Sequence, residues 1–450
     1  MKCTNAITHR PYLPPGQRLD GPYICRLAPS ENAIMLEWLD TASSDAYTLF
    51  FRARGTEEWE SFPIPSKTFT VNGLLPNTDY ELYVENAEGK HSRIRLARTG
   101  AIPVGTSVIN YLHPEDEQYL FSGKHLCSPS IVKTGSGRLI AGMDVFGPAM
   151  GQNTTLLFSS DDKGESWHYL CDLYPFYWSC LFYHQDAIFL LGVSTEYGNL
   201  QISRSTDDGV TWEAPCTILY GANVLCATGG ISREPMHLTE YHGRLYTGLS
   251  IGSWKIGGHD PAVLSIATDA DPMLAESWTL SDPLPFEGKW KDEVGKRGDA
   301  IEGNFVVAPD GNLYDYMRWK RGEMLKLRVN TDQLDVAPEY VSIEPAPVSN
   351  SMFRIFFHNG KYYLLTNRKS RTHGDYLRNV LSLYESNDLK SFRFLRDIVN
   401  MEDEDPRQFG FQYPAFSLDG NTLYVTIRSA FNNADSFHNS NYILFYKTEL

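Results

Sequence analysis

No apolar run in this chain reaches the length of a membrane-crossing helix, and almost no stretch shows the periodicity of an amphipathic one. A spanning helix and a helical bundle are therefore set aside. Cysteine is sparse: Cys3, Cys25, Cys127, Cys171, Cys180, Cys216 and Cys226 are odd in number and scattered. They fit free thiols better than a disulfide framework or a zinc site. His-x-Glu-x-His and EF-hand spacings are missing too, so no cofactor is expected. A structural calcium would suit the architecture described below, but nothing signals one. Positive charge is in deficit, with 40 Lys and Arg against 55 Asp and Glu and a net charge of −15. That balance argues against nucleic acid and anionic membranes as partners, so an acidic ligand would need a local cluster of basic side chains. The opening MKCTNAITHRPYLPPGQRLDG has no apolar signal segment, and a cytoplasmic chain is expected unless a leader has been removed.

What the 450 residues do contain is short alternating strands. Residues 1–20 are Pro-rich and read as an arm. Residues 21–100 hold IMLEWLD with Trp38 mid-strand, AYTLFFRAR, and LLPNTDYELYVEN, in which Leu75, Pro76 and Tyr80 have the order of a tyrosine corner. From 105 to 450 the chain repeats. Six hairpins share one form: SIVKTGSGRLIAGM, CLFYHQDAIFLLGV, MHLTEYHGRLYTGL, NFVVAPDGNLYDYM, FRIFFHNGKYYLLT and PAFSLDGNTLYVTI. Each is followed by a third strand, and the wandering period predicts an all-β, six-bladed propeller behind a small β-sandwich. The fourth strand of each blade is too irregular to place.

Two third strands run into Ser159-Ser160-Asp161-Asp162-Lys163-Gly164-Glu165-Ser166-Trp167, which has one extra residue before its glycine, and Ser205-Thr206-Asp207-Asp208-Gly209-Val210-Thr211-Trp212, with a degraded copy near Ser277-Trp278. Their aspartates are expected to cap turn amides, their glycines to take positive φ and their tryptophans to pack between blades. The hairpin from Ile301 to Trp319 is the sharpest pointer to a site. Its Asp-Gly turn should bring Glu302, at the opening, beside Arg318, at the close.

The stretch around Trp38 and Tyr80 resembles a fibronectin type III module. The Ser-x-Asp-x-Gly-x-Ser/Thr-Trp motifs on six repeats resemble the sialidase-like, Asp-box superfamily of glycan-active propellers. In sialidases three arginines hold the substrate carboxylate, an Asp is the acid/base and a Tyr assisted by a Glu is the nucleophile. That resemblance implies Glu302 as the assisting Glu, Arg318 as one arginine, Tyr413 in FGFQYPAF as the nucleophile, and Asp144 in AGMDVFG near the acid/base position. The first repeat departs from the pattern, with Gly123-Lys124-His125-Leu126-Cys127-Ser128 where an Arg-Ile-Pro type motif supplies an arginine. A histidine there resembles propeller enzymes, hydrolases and lyases, that act on α-L-rhamnosyl-(1→4)-glucuronate ends.

Positions where inner strands begin and hairpins end should line the funnel. The expected catalytic set is His125, Glu302, Tyr413 and Asp144; the expected binding set is Arg233, Lys255, His259, Asn304, Arg318, Arg354, Arg368, Gln412, Arg428 and His438. Arg233 can equally pair with Glu234, and Tyr174, Phe176, Tyr177 and Trp178 can either stack a sugar or fill a blade edge. The functional expectation is an exo-acting carbohydrate enzyme cleaving at or next to an acidic sugar, with the rhamnosyl-glucuronate reading first. A sialidase with an altered arginine set and a non-catalytic glycan-binding propeller are the alternatives, and hydrolysis is not separated from β-elimination.

Overall fold

The computed structural model describes residues 19–42, 46–148, 150–221, 230–232, 236–254, 257–295 and 300–450. Six of its sheets are the blades of a propeller, each an antiparallel meander running outward from an inner strand. The first blade comprises His125–Lys133, Leu139–Phe146, Thr154–Ser160 and His168–Leu173. In the fourth, Ile301–Val307 is innermost, followed by Leu313–Arg318, Glu323–Arg328 and Glu339–Pro345. All six expected hairpins form the two inner strands of a blade. The inner and middle strands are buried almost throughout, as expected where both faces pack on neighbouring blades.

The ring closes through the last blade. Gly410–Asp419, Thr422–Ala430 and Tyr442–Glu449 are completed on the outside by Thr106–Tyr111, from the other end of the propeller segment. This strand unites the two ends of the ring by a backbone ladder.

The Asp-box turns behave as the residues dictate. Asp207 accepts from Ser205 Oγ (2.8 Å) and the Thr211 amide (2.8 Å), and Gly209 takes φ +85°. Trp167 meets Phe445 of the sixth blade edge-on at 5.3 Å, while Trp212 packs into the apolar cluster shared with the first blade. A further turn of this kind, at Ser386 and Asp388, has Leu389 at φ +60° in place of glycine.

Residues 23–98 form two facing sheets around Trp38, and the Leu75 amide donates to the Tyr80 hydroxyl at 2.9 Å. This sandwich is fixed to the propeller by buried polar contacts. Arg95 pairs with Asp116 at 2.6 Å, and Arg26 donates to the carbonyls of Ile109 (2.7 Å) and Val108 (3.0 Å). None of the five described cysteines is joined in a disulfide to another described residue.

Candidate active site

The inner strands would present ordinary alternating side chains to the central opening if their ladders were regular. Four are not. Register shifts fall at Gly142/Asp144, Tyr177/Cys180, Ile301/Asn304 and Gln412/Ala415, on the first, second, fourth and sixth blades. At each, one non-glycine residue adopts a left-handed backbone: Ser128 (φ +47°), Trp178 (+48°), Glu302 (+59°) and Tyr413 (+52°). A bulge of this kind re-aims a side chain, and the conformation costs about 1–3 kcal/mol at each non-glycine position. All four side chains line one cleft of about 540 Å³.

The residue after Glu302 must be glycine, because a Cβ on Gly303 would run into the buried Asp315 carboxyl. Burial pushes that carboxyl up to about 7.

Inside the cleft, Tyr413 donates its hydroxyl to Glu302 Oε1. Arg318 Nη1 reaches both Glu302 oxygens, at 3.0 and 2.9 Å, and the Tyr413 oxygen at 3.2 Å; its Nε binds Asn350 Oδ1 at 2.7 Å. Glu302 is 1% exposed. The Ile301–Val307 hairpin therefore places Glu302 beside Arg318, as its turn requires.

Two further guanidinium groups surround the phenol. Arg428 lies between the rings of Phe146 (4.8 Å) and Tyr413 (5.0 Å), held by Ser440 Oγ and the His438 carbonyl. Arg378 lies 6.0 Å from the Tyr413 ring and is fixed by Gln412 Oε1 and the Asn350 carbonyl. Burial pulls the Arg378 pKa down to about 10, helped by Arg318 and Arg428 and opposed by Tyr413 and Glu302, so it stays charged at neutral pH. Burial lifts the Tyr413 phenol to about 12; the Glu302 charge adds to this and the three arginines counter it. Three guanidinium groups thus surround one phenol and one carboxylate.

Of the expected residues, the cleft gathers Glu302, Tyr413, Arg318, Arg428 and His438, whose pKa the adjacent Arg428 lowers to about 3. The others are held away from its wall. Asp144 is fully buried, accepting from Thr155 Oγ1 and from the Ser179 amide at 3.1 Å; it ties the first blade to the second, and burial raises it to about 7. His125 packs behind Phe146 at 5.4 Å with Nε2 3.6 Å from Asp435, and burial lowers it to about 4.

Arg368 is enclosed by Asp397 (2.8 Å) and Glu402 (3.1 Å), and Arg354 is fully buried in the fifth blade. Asn304 joins the fourth blade to the fifth through the Ile355 amide. Gln412 stands behind Arg378, and His259 packs edge-on to Trp254 at 4.8 Å, so each supports a residue of the cleft wall. Arg233, Glu234 and Lys255 lie outside the described residues. Sequence reasoning missed Arg378, Gln152 and Glu196; it did single out Tyr177 and Trp178, which line the cleft, while Phe176 is core.

Residues 175–426 match the model of the BNR repeat-like domain. Among solved structures the chain is similar to a Hadza microbial sialidase (14% identity, TM-score 0.52, covering 96% of this chain and 94% of that one). It is also similar to a point mutant of the NanB sialidase from Streptococcus pneumoniae (11%, TM-score 0.50, 95% and 93%). An α-L-arabinanase from Penicillium chrysogenum complexed with arabinobiose aligns as well (12%, TM-score 0.50, 77% and 98%). No curated protein matches the chain in sequence.

Proposed function

The chain belongs to the BNR repeat-like domain family, and we propose that it is an exo-acting glycoside hydrolase that removes a terminal sugar carrying a carboxylate. The observation that carries this reading is the Tyr413–Glu302 hydrogen bond with Arg318, Arg378 and Arg428 around it. A carboxylate nucleophile would be repelled by an anomeric carbon that itself bears a carboxylate. A neutral phenol avoids that repulsion, and Glu302 can take its proton as the bond forms. Burial keeps the phenol protonated at rest, so Glu302 must take its proton for attack to occur. The arginines would hold the sugar carboxylate by charge-assisted hydrogen bonds. A sialic acid has its carboxylate in that position, and two of the similar folds are those of sialidases.

One observation favours the rhamnosyl-glucuronate reading: the first blade offers Cys127 and Ser128 to the cleft where the sialidase pattern has an arginine. That reading also calls on His125 for proton transfer, and the burial of His125 behind Phe146 counts against it. The sandwich of residues 23–98, read as a fibronectin type III-like module, would then brace the ring rather than carry chemistry.

The test is incubation with oligosaccharides ending in α-sialyl or α-L-rhamnosyl-(1→4)-glucuronate units, with released sugar identified by chromatography. Free sialic acid is expected. Rhamnose release would support the second reading, an ultraviolet-absorbing unsaturated uronate would show β-elimination, and binding without product would make the protein a glycan-binding propeller.

A further inference from the structure

Hydrolysis through Tyr413 leaves one task without a residue. The oxygen of the departing group must gain a proton, and the water that releases the sugar must lose one. Glu302 is committed to Tyr413 and Arg318, and Asp144 is sealed between two blades. Among the described residues lining the cleft, one other carboxylic acid is present, Glu196.

The topology puts it where the chemistry needs it. Glu302 opens the inner strand of the fourth blade, and Tyr413 lies on that of the sixth, so the couple spans the side of the ring occupied by the fifth. Glu196 sits in the turn between Ala187–Val193 and Leu200–Ser205 of the second blade, the blade that a six-fold ring sets opposite the fifth. A sugar held between them has the nucleophile on one side and this carboxyl on the other.

The group is also held in place. Gln152 Nε2 donates to Glu196 Oε2 at 2.9 Å, while Gln152 Oε1 accepts from the Tyr177 hydroxyl at 3.1 Å, which orients the amide. Gln152 is 5% exposed and takes φ +47°. The turn is closed by Ser194 N to Asn199 O (2.8 Å) and joined to the Gln152 loop by Thr195 Oγ1 to the Gly151 carbonyl (2.7 Å). Gln152 thus fixes the Glu196 carboxyl at the cleft wall.

We infer that Glu196 is the acid/base of this site, an assignment that rests on the hydrolase reading above. In the first step the Glu196 proton passes to the glycosidic oxygen as its bond to the anomeric carbon breaks. Tyr413 Oη forms its bond to that carbon, and the phenol proton moves to Glu302. In the second step a water proton returns to Glu196 as the water oxygen bonds the anomeric carbon. The Tyr413–sugar bond then breaks, and Tyr413 regains its proton from Glu302. One water is consumed for each glycosidic bond cleaved.

The experiment compares wild type, Glu196→Gln and Glu196→Ala on a sialyl-lactose and on a 4-methylumbelliferyl sialoside. The Gln variant keeps a hydrogen-bonding partner for Gln152, and circular dichroism verifies the fold. With the poor leaving group, kcat/KM should fall by ~10²–10⁴-fold, and with the aryl leaving group by less than ~10-fold. The alkaline limb of the pH profile should disappear, and azide should restore Glu196→Ala with a glycosyl azide as product. Equal losses on both substrates, or no loss, would overturn the assignment while leaving Tyr413 in place. If the wild type cleaves neither substrate, the hydrolase reading fails and this assignment with it.

Discussion

Tyr413 and Glu302, 111 residues apart in sequence, are joined by a hydrogen bond from the phenol to the carboxylate across the top of the ring. Each stands on a bulge of its inner strand with a left-handed backbone. Regular ladders would point neither side chain at the other. If the phenol is the nucleophile, Tyr413→Phe should lower kcat/KM by ~10³-fold or more while leaving the affinity for a dehydrated sialic acid analogue within a few-fold. Steady-state kinetics and calorimetric titration measure the two quantities separately.

The arginines divide into two groups, and substitution should separate them. Arg378→Met removes charge-assisted hydrogen bonds to the ligand worth about 1.5–3 kcal/mol, or roughly ten- to 150-fold in affinity. Arg368→Met should instead strand the Asp397 and Glu402 carboxylates, costing about 3–5 kcal/mol of stability without changing KM. Inhibitor titration and thermal melts of both variants check this.

Gly303→Ala forces a methyl group against the Asp315 carboxyl, and overpacking of this kind costs about 1–3 kcal/mol. The easiest relief is a shift of the Glu302 bulge. Activity should therefore fall further than the melting temperature alone accounts for, as a comparison of kcat with thermal unfolding would show.

His125 sets an acid limit on stability. Burial holds its folded-state pKa at about 4, below the ordinary 6.5, with Asp435 only partly opposing. Above 6.5 the imidazole is neutral folded or unfolded. As pH falls from 6.5 toward 4, the unfolded chain binds a proton that the folded one does not, and stability drops by up to about 1.4 kcal/mol per pH unit. Denaturant midpoints measured across that window should fall more steeply in the wild type than in His125→Gln, the contributions of His438, Asp144 and Asp315 being common to both.

Much of the propeller was legible because its hairpins keep a two-residue apolar period and polar or Gly-containing turns, and hairpin geometry alone brings Glu302 to Arg318. The period shows that residues share a face, but not which face. Arg354 and Arg368 read as funnel residues because they flank apolar strands, yet the blade turns both inward. Arg378, near the start of the Tyr376–Ser386 strand, carries no mark that separates it from them. Asp144 sits beside the bulge at Ser128, which shifts the local register and carries its side chain between blades. The bulges themselves have no sequence signature beyond the glycine after Glu302. The strand Thr106–Tyr111 was not visible as part of the sixth blade because its partner lies over 300 residues away.

Covalent trapping bears hardest on the reading as a whole. The protein would be treated with a sialosyl fluoride fluorinated beside the anomeric carbon, which slows breakdown of a glycosyl-enzyme, and then digested for peptide mass spectrometry. The adduct is expected on the Tyr413 hydroxyl and should be absent from Tyr413→Phe. Turnover of a natural substrate with no adduct, or an adduct on a carboxylate, would contradict the tyrosine mechanism on which the proposed function stands.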